Sequence, residues 1–426
     1  MLTVAYLANQ FPSPVESYVG DEIAELRRRG IHVVAGTVQR PAANERQPEI
    51  VVQDALSATI LVRAVALCVL RWTRIADLVW RVLCRGKEGP VQRAKALAHT
   101  MLGACYAVLL GDRSIDHIHV HHGYYGAWVG MVAARLRGVD FSLTLHGSDL
   151  LLHGTYLDAK LKNCRFCLTV SEFNRQTILR KFAGTRAEKI IVSRLGVDVR
   201  ADRTPRPVAP AEGRGPFQIL AVGRLHSVKD HAFLVWACAD LYRRGISFEC
   251  AIAGEGPERH RLESMIRMYG MGKRVRLLGH VPHSRLDSLY ENADLVVLTS
   301  RSEGVPLVLM EAMAHGKIVL APAITGIPEL VINGKTGFLY ECGSLSDFVD
   351  RLLGIRSLLA HALGHSEPSA NVRPQTLDWI RHAARVQVQH NFNRQKNLES
   401  FGDLFLARIP PEKKIPRHAH LVLQQI

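Results

Sequence analysis

Asp294–Glu311 reads DLVVLTSRSEGVPLVLME, and this stretch decides the fold. The apolar run Leu295–Thr299 predicts a strand buried on both faces, as in a parallel sheet. Gly304 frees the backbone for a tight turn, and Pro306 suits the first turn of a helix, so a helix is predicted over Val305–His315. A buried strand running directly into a helix is the repeating unit of an α/β doubly wound sheet.

The same grammar recurs on both sides. Thr3–Leu7, Val33–Gly36, Ile115–Val120, Phe141–Leu145, Phe166–Val170 and Lys189–Ser193 read as buried strands. Ile219–Val222, Phe248–Ala253, Arg274–Leu278 and Ile318–Ala321 repeat the pattern in the second half. Helical patterns over Glu16–Arg29, Gly126–Arg137 and Ala232–Arg243 separate them. Between the halves, 201–216 (ADRTPRPVAPAEGRGP) is rich in Pro, Arg and Gly, lacks an apolar period and reads as a linker. The expected organisation is an N-terminal domain over 1–200, a C-terminal domain over 217–375, helices over 376–410 packing back on the N-terminal domain, and a basic tail over 411–426.

Bulk composition fits this picture. The chain has 426 residues, 47% hydrophobic and 22% charged, which suits two domains with sizeable cores and argues against disorder. Its 54 Lys plus Arg against 39 Asp plus Glu give a formal charge of +15, which favours anionic partners. Basic motifs interleaved with aromatics are missing, so nucleic acid is not the expected one. The eight cysteines are scattered and read as reduced. Cys164 and Cys167 form a Cys-x-x-Cys with no second pair, which favours core packing over zinc. The N-terminus does not read as a signal peptide. Segment 55–110 is helical in pattern, with Arg71, Arg74, Arg81 and Arg85 on one face and Trp72 and Trp80 nearby. It reads either as a surface for anionic lipid headgroups or as a helical excursion with a solvated basic side.

The chemistry concentrates at carboxyl ends of strands, where ligands bind in open α/β sheets. The amides of Val305, Leu307 and Val308 would open outward at a helix N-terminus, a natural seat for phosphate. Glu303 before the helix and Glu311 on it are good acceptors for hydroxyls. Phosphate flanked by hydroxyl acceptors suits a sugar–diphosphate–ribose; the alternative is a cap plus a solvated glutamate. Ile219–Lys229, ILAVGRLHSVK, adds Gly223, Arg224 and Lys229 after a strand. Two fixed cations and a helix N-terminus can neutralise a departing diphosphate without a metal ion. The chain contains no Asp-x-Asp, so no metal site is expected.

The array VGRLHSVK, AGEGP, GHVP, EGVPLVLME, AMAHG and GIPELVINGKTGF strongly resembles family 4 of the retaining glycosyltransferases, over roughly Phe217–Tyr340. More loosely, FPSPVESYVGDEIAELRRRG, DHIHVHHG, FSLTLHGSD and LTVSEFNR look like the exopolysaccharide and colanic-acid-type branch. The resemblance implies the GT-B fold, two Rossmann-like doubly wound parallel-sheet domains facing a deep cleft. It implies that Arg224 and Lys229 hold the diphosphate of a UDP- or GDP-linked sugar, with Glu303 on the sugar, Glu311 on the ribose and Val281 near the base. His146 matches the family's cleft histidine; Glu16, His119, His121 and Asp149 are candidates for the acceptor side. Departures are Val15-Glu16-Ser17 in place of Ser-Glu-Thr, His122 in place of an aromatic, and Ser13-Pro14 where other branches carry Gly-Gly.

The function so implied is retaining, front-face transfer of a sugar from a nucleotide sugar to a saccharide or lipid-linked saccharide, in cell-surface or exopolysaccharide biosynthesis. The expected location is cytoplasmic, with peripheral contact to the membrane face. The alternatives are a nucleotide-sugar epimerase on the same fold and a non-catalytic nucleotide-sugar-binding subunit.

Overall fold

The computed structural model describes residues 1–13, 16–40, 48–86, 88–152, 154–199, 215–361 and 375–409. The chain divides into two compact units, 1–193 with 398–426, and 194–397.

In the first unit, Thr3–Gln10 (β1), His32–Gln39 (β2), Ile50–Val51 (β3), His117–His121 (β4), Asp140–Leu145 (β5), Cys167–Thr169 (β6) and Ile190–Val192 (β7) form one parallel sheet. The strand order is β3-β2-β1-β4-β5-β6-β7, which reverses direction between β1 and β4. Alternate residues of β1 enter different cores, as the two-residue strand period demands. Ala5 and Leu7 join a cluster with Leu67, Val129 and Val132 on one face. Val4, Tyr6 and Ala8 join Ile23, Leu26, Phe401 and Phe405 on the other.

In the second unit, Phe217–Val222 (β8), Phe248–Ala253 (β9), Val275–Gly279 (β10), Leu295–Val297 (β11), Ile318–Pro322 (β12) and Phe338–Tyr340 (β13) form a parallel sheet in the order β10-β9-β8-β11-β12-β13. Here the reversal lies between β8 and β11. Leu295, Val296 and Val297 are wholly buried, because helices cover both faces.

Every strand read from the sequence is present. The two it lacked, β3 and β13, are edge strands of two and three residues, too short to show a period. The C-terminal helices divide between the units. Leu377 and Ile380 of the helix Gln375–Asn391 sit in the second core, whereas Phe401 and Phe405 of Arg394–Leu406 fill the first. Only the last helix therefore packs on the N-terminal unit. The linker 201–216 lies outside the described residues except for Gly215 and Pro216, as does the tail 411–426.

Segment 55–110 folds as the helices Ala58–Leu70, Ala76–Cys84 and Pro90–Leu109. The expected basic face is mostly spent inside the protein. The Arg71 and Arg74 guanidinium groups donate to the Leu136 carbonyl at the end of the helix Tyr125–Arg137, where cations complement the helix dipole. Arg81 pairs with Glu88 at 3.0 Å and Asp158 at 3.1 Å. The outward face is apolar instead: Val62, Val65 and Val69 of Ala58–Leu70 are 67%, 48% and 70% exposed, and Trp72 and Trp80 of the following segment are exposed as well. Among the described residues, no helix is long and apolar enough to cross a membrane.

Candidate functional site

Each unit carries its own cluster of polar side chains at the carboxyl ends of its strands, beside the point where strand order reverses.

In the second unit, β8 ends at Val222 and the loop Gly223–Leu225 lies against the loop after β9. The Gly223 amide donates to the Ala253 carbonyl at 2.9 Å, and Leu225 to Glu255 at 2.8 Å. This approach requires glycine opposite. A Cβ on Gly254, at φ 151°, would stand 1.9 Å from the Gly223 oxygen, and one on Gly256, at φ 156°, 2.4 Å from the Leu225 oxygen. The AGEGP motif thus fixes the path of the loop that presents Arg224, whose side chain is exposed.

Ser227–Lys229 makes a short turn that aims Lys229 back across the strand ends. Its Nζ donates to Glu303 Oε1 at 2.5 Å, and Ser300 Oγ donates to the same oxygen at 2.5 Å. The two loops are tied further by Thr299 Oγ1 to the Lys229 carbonyl at 2.9 Å and by the Arg301 amide to the Val228 carbonyl at 2.8 Å. Lys229 and Glu303, seventy-four residues apart, are therefore one partly buried ion pair.

The helix after Glu303 begins at Leu307, not Val305. Pro306 is extended, at φ −75° and ψ 122°, and caps the helix from outside its first turn. Leu307 and Val308 head the helix, where amides lack intrahelical acceptors, while Leu309 and Met310 already donate to the Pro306 carbonyl. Gly304 and Val305 form the turn before it. One helical turn on from Leu307, Glu311 accepts a hydrogen bond from the Tyr290 hydroxyl at 2.7 Å, and burial raises its carboxyl pKa. Val281 follows β10, whose last residue, Gly279, accepts the Gly254 amide at 2.8 Å. Gly223, Arg224, Lys229, Val281, Glu303 and the head of the Leu307 helix all follow strand ends of one sheet; Glu311 lies one turn into that helix. The sequence reading missed His231, buried beside the Gly223 loop and pushed down to about 4 by burial and the Lys229 charge. It also missed Tyr290.

In the first unit, His146 directly follows β5 and joins a chain of side chains behind it. His146 Nε2 lies 3.0 Å from His121 Nδ1, and His121 Nε2 lies 2.7 Å from Glu22 Oε2 and 2.6 Å from Tyr6 Oη. Tyr6 Oη also donates to Glu22 Oε2. Tyr18 covers His146, with ring centroids 4.7 Å apart. Glu22 and Tyr6 were not legible as site residues. Glu22 sits mid-helix among apolar residues, and only β1 and β4 pairing brings His121 to it.

Three acceptor candidates are placed differently from the expectation of direct contact. His119 is wholly buried, with Nδ1 2.7 Å from Ser142 Oγ and Nε2 3.0 Å from Thr144 Oγ1, so both nitrogens are occupied. His121 is also wholly buried and lies behind His146. Asp149 is buried and accepts from the amides of Gly123 at 2.8 Å, His146 at 3.1 Å and Gly147 at 2.8 Å. Burial would raise its pKa, but the His122 charge and the amides outweigh that and hold its carboxyl well below the usual range. Asp149 therefore organises the loop that carries His146. Glu16 stands 3.2 Å from His122 Nε2, and Asp149 3.7 Å from His122 Nδ1. Neither contact has hydrogen-bond geometry, so the attraction is ionic; against the opposing effect of burial, it raises the His122 pKa to about 10.

Ligand atoms of His121, His122 and His146 lie within 4.8 Å of one another, as do those of Glu22, His119 and His121. In the second group both His119 nitrogens are engaged by hydroxyls. In the first, His121 and His146 are hydrogen-bonded together and His122 faces two carboxylates.

The family model "Glycosyltransferase Family 4" matches residues 15–201, and "Glycosyl transferases group 1" matches 203–360. The colanic acid biosynthesis glycosyltransferase WcaL of Escherichia coli is 34% identical over 219 residues, 50% of each chain, so the match spans half the length of that relative. The amylovoran biosynthesis glycosyltransferase AmsK of Erwinia amylovora is 29% identical over 66% of this chain and 67% of its own. Sucrose-phosphate synthase from Thermosynechococcus elongatus has the same fold, with a TM-score of 0.69 at 18% identity over 96% of this chain and 99% of that one. So does Anabaena HepE, crystallised with UDP-glucose, with a TM-score of 0.63 at 18% identity over 96% and 100%. With one family model on each half, two parallel Rossmann-like sheets and these relatives, the chain belongs to glycosyltransferase family 4, of GT-B fold.

Proposed function

We propose that the chain is a retaining glycosyltransferase that moves a sugar from a nucleoside-diphosphate sugar to a saccharide or lipid-linked saccharide acceptor in exopolysaccharide or cell-surface biosynthesis. The second unit binds the donor and the first the acceptor. The observation that carries the reading is the Lys229–Glu303 pair beside the head of the Leu307 helix.

Without donor, Glu303 neutralises Lys229. A diphosphate arriving at the helix head shares the Lys229 ammonium and frees one Glu303 oxygen for sugar hydroxyls. Arg224, exposed on the neighbouring loop, supplies a second cation. As the bond to the anomeric carbon lengthens, negative charge grows on the departing phosphate, and these fixed groups stabilise it without reorganising. The attacking hydroxyl approaches from the leaving-group side and passes its proton to a phosphate oxygen. The WcaL and AmsK likenesses support a polysaccharide setting, and the HepE structure with UDP-glucose supports a nucleotide-sugar donor.

The test is transfer from UDP- and GDP-sugars by the purified protein. Lys229→Ala and Glu303→Ala should each lower transfer by about 10²–10³-fold with the fold intact. EDTA should leave it unchanged; loss on chelation with recovery in Mn²⁺ would overturn the electrostatic account. Conversion of the nucleotide sugar without any acceptor would indicate an epimerase instead.

The acceptor's lipid anchor is a finer reading, supported by the exposed apolar face of Ala58–Leu70 with Trp72 and Trp80. That face suits shallow burial at an anionic membrane surface.

A further inference from the structure

The side chains behind His146 fix more than its place. Glu22 lies on the helix Ser17–Arg28, 5% exposed, and its Oε2 meets both Tyr6 Oη and His121 Nε2. A carboxylate only accepts hydrogen bonds. Tyr6 has one hydroxyl proton and gives it to Glu22, so toward His121 its oxygen is also an acceptor. Both neighbours of His121 Nε2 therefore accept, and Nε2 must carry the proton. With His121 neutral, its Nδ1 is a bare lone pair, and it faces His146 Nε2 at 3.0 Å. That contact is a hydrogen bond only if His146 Nε2 carries a proton. His146 is neutral at pH 7, since burial and the nearby His122 charge hold it well below the ordinary imidazole range. A neutral imidazole protonated on Nε2 is bare on Nδ1.

We infer that Glu22 is a positioning residue that, through His121, fixes His146 as the Nε2–H tautomer, so that His146 presents an Nδ1 lone pair to a hydroxyl of the ligand. The ring is held for this role. Its amide donates to Asp149, its carbonyl accepts from Asn174 Nδ2 at 2.9 Å, and Tyr18 and His122 lie against it, each with its ring centroid 4.7 Å away. His146 then acts as a hydrogen-bond acceptor that selects a hydroxyl, not as a donor. This inference rests on the proposed function only for what the ligand is.

Tyr6 makes the test sharp. In Glu22→Leu, Tyr6 loses its acceptor and turns its hydroxyl proton toward His121 Nε2. His121 must then be protonated on Nδ1, and His146 becomes Nδ1–H. Glu22→Gln keeps an acceptor oxygen in place and should preserve the native tautomer. The experiment is a long-range ¹H–¹⁵N correlation spectrum of ¹⁵N-histidine-labelled full-length protein near pH 7.5, with His146 assigned from a His146→Gln sample. The wild type and Glu22→Gln should show His146 bare on Nδ1, and Glu22→Leu should show it protonated there. In the transfer assay, Glu22→Leu should lower kcat by about 10²-fold with the donor KM unchanged, and Glu22→Gln should recover most of the loss. A wild-type His146 protonated on Nδ1 overturns the inference even if Glu22→Leu fails to fold, and so does an unchanged tautomer in Glu22→Leu. If the tautomers are as stated but His146→Gln transfers sugar at the native rate, the ligand-contacting role of His146 fails and the positioning of its tautomer by Glu22 stands.

Discussion

Loss of the His122 charge at alkaline pH should destabilise the first unit. This residue sits at φ 68°, between Glu16 and Asp149, and its pKa is raised to about 10 against about 6.5 for a free imidazole. Because the folded value is the higher one, the charged ring stabilises the fold fully below about pH 6.5, and that contribution fades as pH rises toward 10. At ~1.36 kcal/mol per pH unit, the gap corresponds to at most about 5 kcal/mol. Lys160 acts in the opposite sense over the same range. Burial pushes its ammonium down to about 7, so its discharge favours the folded state as pH rises. A single pH profile would mix the two, and a difference between variants separates them. His122→Asn tolerates the left-handed backbone and removes only the titrating ring. Urea unfolding of both proteins from pH 6 to 10.5, followed by the fluorescence of buried Trp128, should give a stability difference of several kcal/mol at pH 6 that shrinks toward zero near pH 10. The same difference at both ends of the range would refute the ionic account of His122.

Further consequences are open to measurement. Gly256→Ala places a methyl 2.4 Å from the Leu225 oxygen, so it should displace the Arg224 loop, raise the donor KM, read by initial rates, and lower the stability of the second unit in urea unfolding. Phe405→Ala removes a wholly buried ring from the first core and should cost about 3–5 kcal/mol in urea unfolding. Val65→Asp with Val69→Asp puts charge on the outward face of Ala58–Leu70 and should abolish co-sedimentation with phosphatidylglycerol vesicles without changing thermal stability. Equal sedimentation of wild type and variant would remove that face from consideration.

The parallel sheets were legible because strands buried on both faces are written as uninterrupted apolar runs, as in Leu295–Val297. The donor-side residues were legible because they lie in short loops immediately after such strands, where sequence neighbours are also spatial neighbours. Lys229 and Glu303 could be placed on one ligand without knowing that they touch. The relay behind His146 was hidden for the opposite reason. Glu22, Tyr6 and His121 come from a helix and two strands, and their contact depends on β1 pairing with β4. The role of Asp149 was misjudged because a carboxylate in a loop reads as available until the three amides that surround it are seen. The arginines of 71–81 were misleading in the same way, since helical spacing says which residues share a face but not which carbonyls that face meets.

The last helix has a consequence for the order in which the protein can be made. Phe401 and Phe405 complete a core whose other walls, Val4, Tyr6, Ile23 and Leu26, are synthesised first. All of 194–397 is translated in between, roughly 10–40 s at ordinary ribosome speeds. During that interval this face of the N-terminal sheet is only partly covered, by the helix Ser17–Arg28, so an N-terminal fragment ending before residue 398 should be sticky on its own. The second unit has no such debt to a later segment and can close first, although it is begun second.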